Sequence, residues 1–370
     1  MKSTINSDVM PDELFEDALK LLKNLIAIPS FSKEEDGTAN RIETFLNEKE
    51  IKVNRFLNNV WAVNKFFDEK KLTLLLNSHH DTVKPNAGYT NNPFEAIESD
   101  TKLFGLGSND AGGPLVSLIA TFVHFYDDES LPFNLLLAAT AEEEISGHNG
   151  IEILLPLLPK IDCGIVGEPT LMQMAIAEKG LLVLDCNAEG VAGHAARNEG
   201  VNAIYEAMKD IAWLSTVQFS KVSCFLGPIH VSVTSINTQN KAHNIVPSEC
   251  SFVVDIRVNE LYTFEEIIAE IRENVSCEVL PRSTRLKPSF IEENHPLVKA
   301  GNMLGLSSYG SPTCSDRALM DFPAVKIGPG DSARSHSANE FIFIDEIKDG
   351  IEKYIQLLEN FSLLINNQKP

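Results

Sequence analysis

Apolar residues recur three and four apart near the N-terminus: Leu14, Ala18, Leu22 and Leu25, with Phe15, Leu19 and Ile26 beside them. That spacing predicts an amphipathic helix over 11–27. A second stripe, Ala39, Ile42, Phe45 and Leu46, predicts another. The pattern then shifts to short apolar runs: WAVNKF, KLTLLLNS, FNLLLAAT and CGIVGEP. Runs of this length between polar residues predict buried strands. Helical segments at roughly 112–126 and 147–158 separate the later ones. Strands alternating with helices predict an α/β domain, a mixed sheet flanked by helices.

From about residue 179 the rhythm changes. KGLLVLDCNAEG predicts a strand, NAIYEAMKDIAWL a helix, and PIHVSVTSIN and ECSFVVDIRVN two strands joined by a polar loop. TFEEIIAEIREN predicts a helix and CEVLP a short strand. The order β-α-β-β-α-β predicts a small α+β, ferredoxin-like sheet with helices on one face. After Pro288 the first pattern resumes: a helix near 295–304, the strand PAVKIG, and a last helix over 344–364. The expectation is a discontinuous domain, 1–178 with 288–370, interrupted by an inserted domain, 179–287.

Composition narrows the function classes. The 370 residues suffice for two domains, and 44% apolar with 22% charged residues is ordinary for a globular chain. A formal charge of 31 − 52 = −21 argues against nucleic acid and anionic membranes as partners. Cys163, Cys186, Cys224, Cys250, Cys277 and Cys314 form no C-x-x-C pair, so no zinc-ribbon or thioredoxin-like site is expected. Thiols in apolar runs such as IDCGIVG fit a reducing compartment. MKSTINSDVMPDELFED has no apolar h-region, and no apolar stretch is long enough to span a bilayer, so the cytoplasm is the expectation.

The chemistry sits where strands end. LTLLLN stops at Ser78-His79-His80-Asp81, and His79 and Asp81, two apart, can share a face. One could bind a metal while the other orients it; the pair also reads as a polar strand end. Asp110 lies in Gly105-Leu106-Gly107-Ser108-Asn109-Asp110-Ala111-Gly112-Gly113, just before a helix. A carboxylate on such tightly turning backbone can approach an ion closely, or cap the helix. A phosphate loop is the rival, but no Lys follows the glycines.

FNLLLAAT runs into Glu142-Glu143-Glu144. Three adjacent carboxylates repel unless solvated, and a divalent cation inverts that penalty. Glu168 follows CGIVG, and His336 lies in the loop after PAVKIG. Each is a weak signal alone. Together they predict two imidazoles and several carboxylates on one sheet rim, a donor set suited to a catalytic pair of zinc ions.

The ordered motifs SHHDTV, GLGSND, TAEEE, VGEPT and SHSANE resemble the family of dizinc amidohydrolases and exopeptidases that includes acetylornithine deacetylase, succinyl-diaminopimelate desuccinylase, aminoacylase and carboxypeptidase G2. TAEEE followed by GEPT looks closest to the acetylornithine deacetylase branch. The resemblance covers almost the whole chain. It implies two Zn²⁺, with Co²⁺ or Mn²⁺ as substitutes: His79 and Glu168 on one ion, Glu144 and His336 on the other, Asp110 bridging. It makes Glu143 the general base and Asp81 the partner of His79. Glu142 stands where the family usually has Asp, and three successive Glu permit a one-residue slip.

In the inserted domain, His194 of GVAGHA resembles the residue that stabilises an oxyanion in a neighbouring subunit's site. Asn244 of NIVP and Arg257 of DIR match substrate-binding positions. The resemblance thus implies a homodimer and hydrolysis of an N-acyl amino acid, N-acetylornithine first, a step of arginine biosynthesis. Alternatives are N-succinyl-ornithine, succinyl-diaminopimelate, N-acetylcitrulline and N-acetyl-lysine. Arg334, two residues before His336, shares its direction if the backbone is extended, and could take a second carboxylate such as that of a succinyl group. A surface Arg in a polar loop is the plainer reading. A non-catalytic dimeric relative is a further class; it should lack Glu143 or a ligand, and here none is missing.

Overall fold

A computed structural model describes residues 12–367. Most of the segment read for a secretory signal lies outside the described residues. The chain divides into two compact units. One comprises Met1–Ile176, Ile291–Tyr309 and Ser315–Pro370; the other, Ala177–Phe290 with Gly310–Cys314.

The first unit is built on a mixed sheet flanked by helices. Thr73–His79 lies at its centre, parallel to Asn134–Thr140 on one side and to Cys163–Val166 on the other. Ala324–Lys326 continues the parallel set beyond Cys163–Val166. Asn59–Val63 and Asn54–Phe56 add an antiparallel edge. The continuous apolar runs have a cause in burial: every residue of Thr73–His79 and Asn134–Thr140 is buried. A strand covered on both faces needs no polar alternation. Leu75, Leu136 and Ala138 pack against Ile151 and Leu154 on one face. The helix Gly113–Phe125 contacts both central strands, and the helices Asp12–Ile26 and Ile344–Asn366 pack against it. Among the described residues no helix is long and apolar enough to cross a membrane.

Parallel strands aim their C-terminal ends at one rim. His79 is in register with Thr140, Asn77 with Val166, and Val166 with Lys326. The segments that follow these ends carry Asp81, Glu142–Glu144, Glu168 and the loop of His336. Asp110 reaches the rim differently. It follows Lys102–Phe104, which belongs to a separate three-stranded sheet with Ile97–Ser99 and Phe341–Phe343. The stretch read as a helix over 147–158 is a short helix, Ile151–Leu154, and a 3-10 turn, Leu155–Leu157, because Pro156 and the polar start leave little to propagate.

The second unit has the order strand, helix, two strands, helix, strand. Its antiparallel sheet runs His230–Asn237, Glu249–Val258, Gly180–Glu189, Glu278–Ser283. Gly180–Glu189 alternates buried and half-buried positions, as a sheet covered on one face must. Leu182, Leu184, Phe252, Val254 and Ile256 form its core with Ala203, Ala207, Ile267 and Ile271 of the helices Ala203–Leu214 and Phe264–Asn274. Thr263 and Glu266 cap the latter reciprocally.

Candidate metal centre

His79 closes the central strand and is 1% exposed. Its Nδ1 donates to the backbone oxygen of Asp81 at 3.0 Å, which leaves Nε2 facing the rim. Three carboxylates face that nitrogen: Asp110 Oδ1 at 3.3 Å, Glu168 Oε1 at 3.8 Å and Glu143 Oε2 at 3.9 Å. On the other side of Asp110, His336 Nε2 lies 3.6 Å from Oδ2 and 2.9 Å from Glu144 Oε2. The two oxygens of Asp110 therefore face two different imidazoles. Ligand atoms of His79, Asp110 and Glu144 lie within 4.8 Å of one another, as do those of His79, Glu143 and Glu168.

The three successive glutamates are turned apart. Glu142 has a left-handed backbone, φ 56°, and is buried, where its carboxylate accepts from the Asn149 side chain at 2.9 Å. The backbone N–H groups of Glu143 and Glu144 both donate to Asp81, to Oδ1 at 3.0 Å and Oδ2 at 3.2 Å. Ser32 adds a third hydrogen bond at 2.7 Å. Asp81 thus fixes the turn that sends Glu143 toward His79 and Glu144 toward His336. The neighbouring His80 is a structural residue: its ring bridges Thr38 Oγ1 and the Asn58 backbone oxygen, each at 2.9 Å.

Asp110 is held by a carboxylate. Glu340 accepts the N–H groups of Gly107, Asn109 and Asp110 at 3.0, 2.9 and 2.9 Å. Those are the backbone donors a phosphate would need, so an internal anion already fills this nest. Gly107 sits at φ 74°, where a Cβ would lie 2.6 Å from Thr82 Cγ2. The Asp110–Ala111 peptide is cis.

The electrostatics ask for a cation. Burial raises Glu143 well above the carboxylate range; Glu168, Asp316 and Glu144 add to this, and His79 opposes it. Burial lifts Glu168 to about 8, with Asp110 and Glu144 adding and His79 opposing. Hydrogen bonding to Glu144 raises His336 to about 9. His79 rises too, because Asp110 and Asp81 together overcome its burial. Protons are drawn onto Glu143, Glu168, His79 and His336, which offsets the negative charge gathered there. Divalent ions in place of those protons satisfy the same donors, all nitrogen and oxygen, so the residues present fit a pair of metal ions.

Two buried acids near the centre were not singled out from sequence. Glu340 ends the SHSANE motif but carried no role. Asp316 is 5% exposed, accepts from Thr140 Oγ1 at 2.8 Å, and is pushed by burial to about 6. It follows no apolar run and gave no signal.

Arg334, expected to share the direction of His336, does not. Ser332–Arg334 forms a 3-10 turn and His336 has φ 58°, so the alternation of extended backbone does not apply. Arg334 instead donates both terminal nitrogens to Glu346, at 2.6 and 3.0 Å.

The remaining candidates lie in the second unit. His194 and Asn244 come together there: Gly193–His194 pairs with Ile245–Val246, and the Ala195 N–H donates to the Asn244 backbone oxygen at 3.0 Å. His194 Nδ1 accepts from the Ala196 N–H at 3.2 Å, which puts the neutral ring's hydrogen on Nε2. Arg257 donates Nε and Nη2 to Asp255 at 2.8 and 3.0 Å, and stands opposite His230 on the next strand.

Residues 75–360 match the model of Peptidase family M20/M25/M40. Acetylornithine deacetylase of Proteus mirabilis is 29% identical over 310 residues, 78% of this chain and 80% of the relative. Succinyl-diaminopimelate desuccinylase of Psychromonas ingrahamii is 30% identical over 376 residues, 92% of this chain and 97% of the relative. Among solved structures, a Bacillus subtilis dinuclear metal binding peptidase of the M20 family superposes with a TM-score of 0.74 at 14% identity. That match covers 96% of this chain and 99% of the other, and at this identity it speaks for the fold alone.

Proposed function

This chain belongs to Peptidase family M20/M25/M40 and is a hydrolase acting on amide bonds, and from that membership we propose that it deacylates an N-acyl amino acid, N-acetylornithine first. The observation that carries the reading is Asp110, whose two oxygens face His79 and His336 at 3.3 and 3.6 Å. A carboxylate so placed suits a bridge between two ions. His79 and Glu168 would hold one zinc, Glu144 and His336 the other, and Asp110 both. Cobalt or manganese accepts the same donors. When bound, the ions polarise an amide carbonyl and ease deprotonation of water.

The chain's own groups do the rest. Glu143 takes the proton from water and returns it to the leaving amine. Asp81 keeps the proton of His79 on Nδ1 and holds the Glu143 backbone by its N–H. His194 offers Nε2–H to the charge that develops on the carbonyl oxygen. Arg257 takes the substrate's α-carboxylate, and Asn244 is a further substrate-binding residue; Asp255 braces the guanidinium along its Nε–Nη2 edge.

Charge supports a choice of acyl group. The relatives include both a deacetylase and a desuccinylase, so similarity does not choose between them. A succinyl carboxylate needs a cation of its own, and the fork of Arg334 is filled by Glu346. Acetyl is therefore favoured. With zinc-loaded enzyme, kcat/KM for N-acetylornithine is expected to exceed that for N-succinylornithine at least tenfold. Equal or better use of the succinyl compound would overturn the assignment.

We place the reaction in the cytoplasm, since a reducing compartment suits six cysteines that stand as free thiols. We also propose a homodimer through the second unit. The helix Ala203–Leu214 turns Tyr205 and Met208 outward at 64% and 55% exposure, and Ile236 is 54% exposed on the edge strand His230–Asn237. Apolar groups of that size on an edge suit burial against a second copy. Light scattering is expected to read twice the chain mass. Tyr205→Glu with Met208→Glu should give a monomer that keeps its metal and loses turnover; a fully active monomer would remove both the dimer and any role for His194 in trans.

A further inference from the structure

The His336 ring is met at Nε2, by Glu144 at 2.9 Å and Asp110 at 3.6 Å, and is otherwise largely open. The side chain is 55% exposed and its backbone is left-handed, φ 58°. Its place must come from how its loop is tied. Three ties are hydrogen bonds made by amides. Asn109 and Asp331 exchange a pair at 3.1 Å each, Asn86 donates to the His336 backbone oxygen at 3.1 Å, and Asn339 accepts from the Thr90 and Asn91 N–H groups at 3.0 and 3.1 Å.

The fourth tie is of another kind. Arg334 is 15% exposed and makes a two-point ion pair with Glu346, itself 21% exposed. Its guanidinium carbon lies 4.9 Å from the ring centres of both Phe341 and Phe343. The ammonium of Lys102 stands 4.1 Å from the centre of the Phe341 ring, so that ring serves two cations. Glu346 also accepts the Phe343 N–H at 3.0 Å, within the first turn of the helix Ile344–Asn366. That helix packs on Gly113–Phe125, which directly follows the Asp110 loop. Arg334 therefore ties the loop of His336 to the same helical layer that supports Asp110. Its backbone oxygen also accepts from Ser337 Oγ at 2.6 Å, one residue beyond His336.

We propose that Arg334 is a positioning residue for the metal centre: its clamp on Glu346 and the two phenyl rings sets where His336 stands, and so the affinity for the ion that His336 and Glu144 hold. The inference rests on the metal-ligand reading given above. A substrate carboxylate could reach this guanidinium only by displacing Glu346, which would strand a mostly buried carboxylate with one backbone donor. A planar fork set against two rings suits positioning, because little side-chain freedom remains to blur it.

The test is metal binding by competition with a chromophoric chelator on the full-length protein. Wild type is expected to hold two zinc ions and His336→Ala one tightly. Arg334→Met, which keeps an apolar stem against the rings, should bind the first ion as wild type does and the second about ten- to a hundredfold more weakly, the usual effect of losing an outer partner. Arg334→Lys, with charge but no fork, should fall between. At saturating zinc, KM for the N-acyl amino acid should not change in Arg334→Met.

Both zinc affinities within twofold of wild type in Arg334→Met would overturn the inference and leave the metal reading standing. So would a raised KM with both ions retained, which would return Arg334 to substrate binding. No stoichiometric zinc in wild type would overturn both. If Arg334→Met does not fold, Glu346→Gln keeps the shape and the capping acceptor and is judged by the same two affinities.

Discussion

Replacing Glu143 by Gln should leave two metal ions bound and slow turnover by about a hundred- to ten-thousandfold, the range expected for removing a general base. The experiment decides more than a rate. Glu143 Oε2 lies 3.9 Å from His79 Nε2, and one of the two groups of donors within 4.8 Å of one another is His79, Glu143 and Glu168. By distance alone Glu143 could be a ligand and Glu144 a neighbour, or the reverse. The hydrogen bonds favour the reverse, because Glu144 is near His336 and Asp110 faces both imidazoles. A ligand lost to Gln takes its ion with it. A base lost to Gln does not, since Gln keeps the shape and loses only the ability to accept a proton. Loss of zinc with loss of turnover would make Glu143 a ligand; retained zinc with full turnover would leave the reaction without its base.

That ambiguity was already in the sequence, and its source is physical. An apolar run ending in a polar residue reveals where a strand stops, and parallel strands stop at a common rim. His79, Glu143, Glu144 and Glu168 were legible for that reason. The roles of three consecutive glutamates were not, because they depend on a turn fixed by Asp81 from another strand end. Asp110 was legible through its glycines, but its support was not: Glu340 lies 230 positions away and acts through backbone donors that leave no trace in spacing. Arg334 was misdirected by a local rule. Residues two apart share a direction in extended backbone, and this stretch is a 3-10 turn leading to a left-handed residue. What made Arg334 intelligible, Glu346 and two phenyl rings, belongs to a later strand and helix.

The same rim predicts how the metal-free protein responds to pH. In the folded chain Glu168 titrates at about 8 against an ordinary 4.5, chiefly through burial, and Glu143 is raised in the same direction. Between those values the folded state keeps a proton that the unfolded state has released. Stability contributed by that proton is therefore full below about pH 4.5 and declines as pH rises toward 8. His336, raised to about 9, has the same sign and extends the decline. Asp81 and Asp110 are held below their ordinary 3.8 despite burial, mainly by His79. Their contribution is lost only as pH falls below that value, outside this window. With chelator present, the unfolding temperature of the first unit should drop by several degrees between pH 5.5 and 8.5. Metal ions replace the protons and bind more tightly as competition with protons fades. The rise in unfolding temperature on adding zinc should accordingly be larger at pH 8 than at pH 5.5. Calorimetry with and without chelator reads both, and a metal-free unfolding temperature that stays flat or climbs across this range would mean that the cluster is not the buried, proton-hungry site its geometry describes.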